Sequence, residues 1–176
     1  MRHLFLIASV LLSGIVFSSP LTAQQIPTEV PPNAWVKACT DDEKPETCRI
    51  IQYLYISQEI DGEVKTIGKI LGLTVLYLED ANSNERVPYM SIQMPLGVDL
   101  RVGGVARVDE GNETKLEYLR CRNSGCDASL RLDEDSVRAL KGGAVLSVGF
   151  LPWEANEVTV VGVTLKGFTK AFNEIK

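Results

Sequence analysis

Residues 115–132 read KLEYLRCRNSGCDASLRL, and this stretch indicates the fold because apolar residues alternate on both sides of a turn. The alternating apolar positions are Leu116, Tyr118, Ala128, Leu130 and Leu132. Between them, Asn123-Ser124-Gly125 supplies residue types that tolerate tight turns and positive φ. A spacing of two is the period of a strand that buries one face. The stretch therefore predicts a β-hairpin with one cysteine on each strand.

The four cysteines predict two disulfides. Cys121 and Cys126 lie on either side of the hairpin turn, and Cys39 and Cys48 enclose a polar, acidic loop. Four cysteines allow three connectivities, and we favour the sequential one because both loops are short. A zinc site is the alternative, but neither spacing is C-x-x-C and the chain beyond residue 23 has no histidine.

The N-terminus predicts export. A short basic start, Met1-Arg2-His3, precedes an apolar run from Leu4 to Phe17 and a small-residue stretch that ends at Ala23. This order is typical of a secretory signal peptide, here residues 1–23. The run is shorter than the ~20 apolar residues that a transmembrane helix needs. All four cysteines follow the expected cleavage site, where an oxidising compartment makes disulfides the default.

The absence of histidine from the mature chain excludes several classes of enzyme. The only histidine, His3, leaves with the signal peptide, so a Ser-His-Asp triad, a Cys-His pair and a histidine-ligated metal are excluded. A carboxylate pair, a Ser-Lys arrangement or a free thiol remains. We predict a protein that is not an enzyme and binds no cofactor or metal. The alternative is a carboxylate-dependent hydrolase of envelope glycans, which needs two carboxyl groups ~5–9.5 Å apart.

The strongest acidic cluster has a structural explanation. Asp133 suits a helix N-cap, and Glu134 and Asp135 suit the positive end of the helix dipole. Lys141 suits the negative, C-terminal end of the helix dipole, and Gly142 suits the residue at which the helix stops. We therefore predict a short capped helix here rather than a catalytic acid cluster.

Charge and length indicate one acidic domain. Removing residues 1–23 leaves 17 basic and 23 acidic side chains, a net charge of −6, which disfavours nucleic acid or an anionic membrane as a partner of the whole surface. Residues 24–33 contain three prolines and predict an extended lead-in. Residues 34–176 are long enough for one core and short for two. We predict a single β-sandwich domain over that range.

The remaining sequence predicts an all-β fold. Short β-branched and aromatic runs separated by turn residues indicate a mainly antiparallel β-sandwich, with one short inserted helix and a short C-terminal helix. Gly68 and Gly72 are candidate β-bulges within a long strand. The alternation over residues 98–102 predicts another strand. The C-terminal apolar stripe is expected to seal the sandwich, and a removable docking helix is the alternative. The stripe consists of Phe168, Ala171, Phe172 and Ile175.

Trp153 is the best single candidate for a binding residue. It follows Pro152 in a segment between two predicted strands, and aromatic side chains dominate the energetic centres of protein interfaces. The alternative is that Trp153 folds back over the core, which is the more frequent position of tryptophan.

Several short motifs, in this order and spacing, resemble the invasion-associated locus B family over nearly the whole mature chain. They are Trp35-x-x-x-Cys39, Pro95-Leu96-Gly97-Val98, Cys121 with Gly125-Cys126, Leu140-Lys141-Gly142-Gly143, and Val163-Thr164-Leu165-Lys166-Gly167-Phe168.

The resemblance implies an exported alphaproteobacterial protein of the periplasm or outer membrane, and it implies no enzymatic activity. Founding members are linked to virulence through erythrocyte invasion, whereas many relatives belong to free-living bacteria. The expected partner is therefore an unknown protein of the envelope or of a host cell. The expected function is host-cell invasion or adhesion, or an envelope function, through protein binding. The family's cysteines transfer to this chain only as structural bridges.

Overall fold

The computed structural model describes residues 34–80 and 83–176. The predicted signal peptide, residues 1–23, and the lead-in, residues 24–33, lie outside the described residues. In chain order the elements are β1 (Val36–Cys39), a 3₁₀ turn (Pro45–Thr47), β2 (Cys48–Ile60), β3 (Glu63–Glu79), β4 (Arg86–Met94), β5 (Gly104–Val108), β6 (Thr114–Leu116), β7 (Tyr118–Arg122), β8 (Gly125–Arg131), α1 (Glu134–Gly142), β9 (Val145–Phe150), β10 (Thr159–Thr164) and α2 (Phe168–Asn173).

The strands form two antiparallel sheets around a shared core, which confirms the predicted all-β class. The large sheet has the order β1-β2-β3-β4-β8-β7, and the small sheet has the order β10-β9-β5-β6. Alternate residues of the central strands face inward, so apolar side chains from both sheets meet between them. Fully buried members include Ile50, Leu71, Leu73, Val75, Ile92, Leu116, Ala128, Val148 and Val163. Each large side chain buried in this way contributes about 1.5–3 kcal/mol.

The cysteine hairpin forms as predicted, with one correction. Cys121 lies opposite Cys126 in the β7–β8 ladder, and Gly125 has a φ of 136°. A Cβ at Gly125 would collide with the Met94 carbonyl, so only glycine fits there. The prediction that Leu116 belongs to this hairpin is wrong, because Leu116 pairs with Gly104 in the small sheet. β6 in the small sheet and β7 in the large sheet both direct apolar side chains into the shared core. The alternation of apolar residues therefore continues from Leu116 to Tyr118, although the chain passes from one sheet to the other.

The predicted strand over residues 98–102 is also wrong. Val98 makes an isolated antiparallel bridge with Pro152, and the chain then turns. The backbone N–H of Arg101 donates to Asp99 Oδ1 over 3.0 Å, which closes a local side-chain turn. Leu100 and Val102 are 54% and 53% exposed, so the apolar alternation does not mark a buried strand face.

The predicted helices are confirmed. Ser136 N–H donates to the N-cap carboxylate of Asp133 at 2.8 Å. Gly142 is the last residue of α1, and the C-cap is Gly143, one residue later than the expected stop. The apolar stripe of the C-terminal segment is buried, with Phe168 and Ile175 fully inaccessible to solvent. The stripe therefore seals the core, and the alternative of a removable docking helix is wrong. No helix in the described part of the chain has the length and apolar character needed to span a bilayer.

The β2–β3 hairpin extends beyond the rest of the large sheet. β1 pairs with β2 only as far as Ile51, and β4 pairs with β3 only from Gly72 onward. Residues 55–68 are all exposed. The register of the β2–β3 ladder shifts twice near Gly68, and each shift leaves one extra residue on β3, first Ile70 and then Ile67. Gly72, in contrast, pairs regularly with Tyr53. The bulge expected at Gly72 is therefore absent.

Candidate functional site

The two disulfides lie at opposite edges of the large sheet. Cys39 is bonded to Cys48 between the edge strand β1 and its neighbour β2, and Cys121 is bonded to Cys126 between the edge strand β7 and its neighbour β8. The Cα–Cα distances are 4.0 and 3.9 Å. This is the sequential pairing that the spacing favoured. The cysteines thus fasten two short edge strands that would otherwise be held by few backbone hydrogen bonds.

Two loops meet at one end of the sandwich, and the hydrogen bonds between them determine the position of Trp153. One connects β4 to β5 and the other connects β9 to β10. The backbone N–H of Trp153 donates to the Gly97 carbonyl at 2.6 Å, and the N–H of Asp99 donates to the Leu151 carbonyl at 2.8 Å. Val98, only 6% exposed, anchors this contact in the core. The loops therefore hold each other through backbone hydrogen bonds, while the side chains of Leu96, Leu100 and Trp153 remain exposed.

Trp153 is 56% exposed, so the alternative that it folds back over the core is wrong. The Arg101 guanidinium lies 5.0 Å from the centroid of the Trp153 ring, within the range of a cation–π contact. Because Arg101 covers one part of the indole, the ring has a preferred position although most of its surface faces solvent.

Asp99 in turn fixes Arg101. The guanidinium donates through Nη2 to Asp99 Oδ2 at 2.5 Å and through Nε to Oδ1 at 2.9 Å. These hydrogen bonds, with the Arg101 backbone N–H bond, lower the pKa of Asp99 to about 2. The Asp99 side chain is almost buried, whereas the Arg101 side chain is 76% exposed. At neutral pH an ionised carboxylate therefore holds an exposed guanidinium against an exposed indole.

Apolar side chains on the same loops enlarge this surface. Leu96, Leu100 and Val102 are each more than half exposed, and we call these three residues together with Arg101 and Trp153 the Trp153 loop face. A groove of about 370 Å³ adjoins it, with Val102, Leu151 and Val158 among its walls. Lys115 and Glu113 also line the groove. The end of the sandwich thus combines an aromatic ring, a guanidinium and exposed apolar groups.

A second cavity contains the acidic residues that a hydrolase would need, but both carboxylates have structural partners. The cavity has a volume of about 280 Å³ and is lined by Asp133 and Asp135 at the start of α1. Hydrogen bonds from Ser136 lower the pKa of Asp133, which opposes a role as a general acid. Asp135 is 84% exposed and forms an ion pair with Arg138 at 2.5 Å. Among the described residues, no group of three His, Cys, Asp or Glu side chains is placed to hold a metal.

Sequence reasoning missed a polar cluster on the outer face of the large sheet. Asp127, only 7% exposed, accepts hydrogen bonds from Gln93 at 3.0 Å, from Arg122 at 2.8 Å and from Arg120 at 3.4 Å. Lys69 donates to Gln93 from the other side. The hairpin register, which sets Arg120 opposite Asp127, was the one available signal. The contacts with β3 and β4 could not be found without the order of the strands.

Comparison with known proteins gives a consistent result. A protein-family model described as "Invasion associated locus B (IalB) protein" matches residues 35–176. Two curated proteins of Brucella abortus, from strain 2308 and from biovar 1 strain 9-941, are named Invasion protein B homolog and are 30% identical to this chain over 83 residues. The match covers 47% of this chain and 48% of each relative, so the chain spans about half the length of the curated relatives it matches.

A solved structure supports the same fold. The crystal structure of invasion associated protein B from Bartonella henselae aligns with a TM-score of 0.58 and covers 83% of this chain and 94% of the other. The two sequences are 20% identical over the alignment. At that identity the likeness shows a shared fold and nothing more specific.

Proposed function

The chain belongs to the invasion associated locus B family, and on that premise we propose that it is a non-catalytic protein of the bacterial envelope or cell surface that binds a protein partner. Family membership and the two disulfides suggest an exported protein. The Brucella relatives are named invasion protein B homologs, and we propose host-cell invasion or adhesion as the process that the binding serves. An envelope function in the periplasm or at the outer membrane would use the same binding activity.

The observation that carries this proposal is the exposed Trp153 with Arg101 against its ring. Tryptophan and arginine are enriched among the residues that contribute most to protein interfaces. Asp99 already holds the Arg101 side chain, so less conformational entropy is lost when a partner binds. The exposed Leu96 and Leu100 add apolar area around this pair. A protein surface with an apolar pocket for the indole and an acidic rim for the guanidinium would fit the Trp153 loop face.

The glycan hydrolase alternative has weaker support in the structure. Its best location is the cavity at the start of α1, where Asp133 caps the helix and Asp135 pairs with Arg138. A general acid requires a carboxyl group with a raised pKa, and the pKa of Asp133 is lowered. The structure thus favours binding over catalysis.

The test is a binding measurement with the oxidised mature protein. Labelled protein is titrated onto intact bacterial envelopes and onto erythrocyte membranes, and saturable binding is expected on one of them. We expect Trp153→Ala to weaken this binding at least about thirtyfold, because hot-spot truncations cost about 2 kcal/mol or more. The thermal melt should not change, since the side chain is mostly exposed.

Val64→Ala is the matched control. Val64 is 77% exposed near the tip of the β2–β3 hairpin, and its truncation also removes exposed apolar area. Its binding should equal that of the wild type. A folded Trp153→Ala protein that binds as tightly as the wild type would refute the role of the Trp153 loop face. Saturable turnover of an envelope glycan would refute the non-catalytic proposal.

A further inference from the structure

The outer face of the large sheet gathers three cationic groups around one carboxylate. Asp127 on β8 is reached by Arg122 Nη2 at 2.8 Å and by Arg120 Nε at 3.4 Å. Gln93 on β4 donates to the other carboxylate oxygen and accepts from the ammonium of Lys69 on β3. We call Lys69, Gln93, Arg120, Arg122 and Asp127 the cationic cluster. It spans four adjacent strands, so the rigid ladder of the sheet fixes its spacing.

Lys69 is held over an aromatic ring. Its ammonium lies 5.3 Å from the centroid of the Tyr53 ring, and that ring covers Gly72 on the neighbouring strand. The Tyr55 ring lies next to it, with the two centroids 6.4 Å apart. Burial lowers the pKa of Lys69, and the charge of Asp127 partly opposes this effect. The ammonium is therefore incompletely solvated, so it would gain more from a bound anion than a fully hydrated lysine.

The charges within the cluster do not balance. Three cations face one carboxylate, which leaves two positive charges in excess on a mature chain with a net charge of −6. Arg120 and Arg122 are 65% and 55% exposed, and each donates to Asp127 through a single nitrogen. A guanidinium carries five N–H donors in a fork, so most of their donors remain directed to solvent or a ligand.

From this arrangement we propose that the cationic cluster is a binding site for a phosphate monoester, carried either by a soluble sugar phosphate or by a lipid headgroup. A phosphate monoester has a charge of about −1.5 to −2 at pH 7, which matches the excess charge of the cluster. Its oxygens can accept paired hydrogen bonds from a guanidinium fork. The Tyr53 and Tyr55 rings beside Lys69 would contact the carbon atoms next to the phosphate.

A compact dianion fits better than an acidic peptide. Arg120 and Arg122 contact the Asp127 carboxylate directly, and Gln93 links the Lys69 ammonium to the same carboxylate, so the three cations are grouped around one point of the sheet. A run of glutamates would spread its charge over several residues, whereas a phosphate monoester concentrates about −1.5 to −2 on one group. The proposal is independent of the Trp153 loop face, because no residue of that surface belongs to the cluster.

The test uses the oxidised mature protein with four probes: inorganic phosphate, glucose 1-phosphate, hexaglutamate, and phosphatidylcholine vesicles with and without phosphatidic acid. Calorimetry and amide chemical shifts measure binding. We expect saturable binding of phosphate esters that perturbs the amides of β7 and β8. Vesicle binding that depends on phosphatidic acid assigns the lipid source, and glucose 1-phosphate binding without it assigns the soluble source.

Arg122→Gln should weaken binding about tenfold, the value of one charge-assisted hydrogen bond. Arg138→Gln removes the same charge from an exposed position on α1 and should bind like the wild type. Lys69→Gln serves as the second variant if Arg122→Gln lowers the melting temperature. Trp153→Ala should leave phosphate binding unchanged, which separates this site from the proposed partner site.

Three results would overturn the proposal. The first is an absence of saturable phosphate ester binding at low salt. The second is equal weakening by Arg122→Gln and Arg138→Gln, which would show a response to total charge alone. The third is binding of hexaglutamate with no response to the phosphate esters, which would make the cluster a site for an acidic peptide.

Discussion

The inner and outer faces of the large sheet differ in whether their buried polar side chains have hydrogen-bond partners. Gln52 on the inner face has no accessible surface, and neither of its amide atoms has a hydrogen-bond partner among the described residues. Asp127 on the outer face is almost as buried, yet it accepts hydrogen bonds from Gln93, Arg120 and Arg122. A polar group inside the sandwich thus lowers stability, whereas one outside it organises its neighbours. Surface chemistry in this fold belongs to the outer face and to the loops.

The largest expected contrast between the faces comes from neighbouring residues of β4. Ile92 points into the core with no exposed surface, and Gln93 points outward. Ile92→Ala should lower the free energy of unfolding by about 2–5 kcal/mol through lost burial and a cavity. Gln93→Ala should lower it by about 1 kcal/mol, the value of an ordinary hydrogen bond. Urea denaturation with the disulfides intact measures both.

Equal losses in these two variants would contradict the distinction between the faces. Ser91→Ala is the control for the strand itself, because Ser91 also points outward and pairs with Ser129. Its effect should stay within about 0.5 kcal/mol of the wild type.

The sequence predicted the features that depend on local signals. The cysteine hairpin, the sequential disulfides, the Asp133 cap and the stripe of α2 each depend on residues that are close along the chain. The features that it did not predict depend on the order of strands or on side-chain geometry. The position of Leu116 in the small sheet is one example, since alternation is the same in either sheet.

The candidate sites show the same division. Trp153 could be selected from the sequence because aromatic residues in turns are recognisable, but the backbone hydrogen bond that joins it to Gly97 in another loop could not. The cationic cluster joins β3, β4, β7 and β8, and no spacing along the chain brings Lys69 towards Asp127. The burial of Gln52 could not be predicted either, because the position of a glutamine between Ile51 and Tyr53 does not indicate which face of the sheet it occupies.

Replacing Gln52 tests the cost of the inner polar group. Gln52→Leu should raise the free energy of unfolding by about 1–3 kcal/mol, because it removes a buried amide that has no partner and keeps most of the volume. The midpoint of urea denaturation should rise with an unchanged slope. Gln93→Leu is the matched control on the outer face, and it should not stabilise the protein because it removes contacts to Lys69 and Asp127. A loss of stability in Gln52→Leu would show that the amide has a role that the packing does not reveal.

The smallest expected effect concerns Asp127 and pH. Burial raises the pKa of Asp127, but the hydrogen bonds from Gln93, Arg122 and Arg120 outweigh it, so the net shift is downward. The folded state thus favours the ionised carboxylate more than the unfolded chain does. This contribution to stability is fully present above the unfolded pKa of about 3.9, and it is lost as the pH falls through the lower folded value.

Asp127→Asn should therefore be less stable than the wild type by about 1 kcal/mol at pH 7, where the charge-assisted hydrogen bonds are intact. The difference should shrink as the pH falls below about 4, because the carboxyl of the unfolded wild type then takes up a proton that the folded state binds only at lower pH. Urea midpoints at a series of pH values measure it. Asp135→Asn is the control, since an exposed pair contributes little at any pH. A difference between Asp127→Asn and the wild type that stays constant down to pH 2 would mean that shape, rather than charge, makes Asp127 important. In that case the outer face would tolerate polar groups for the same packing reasons as the core.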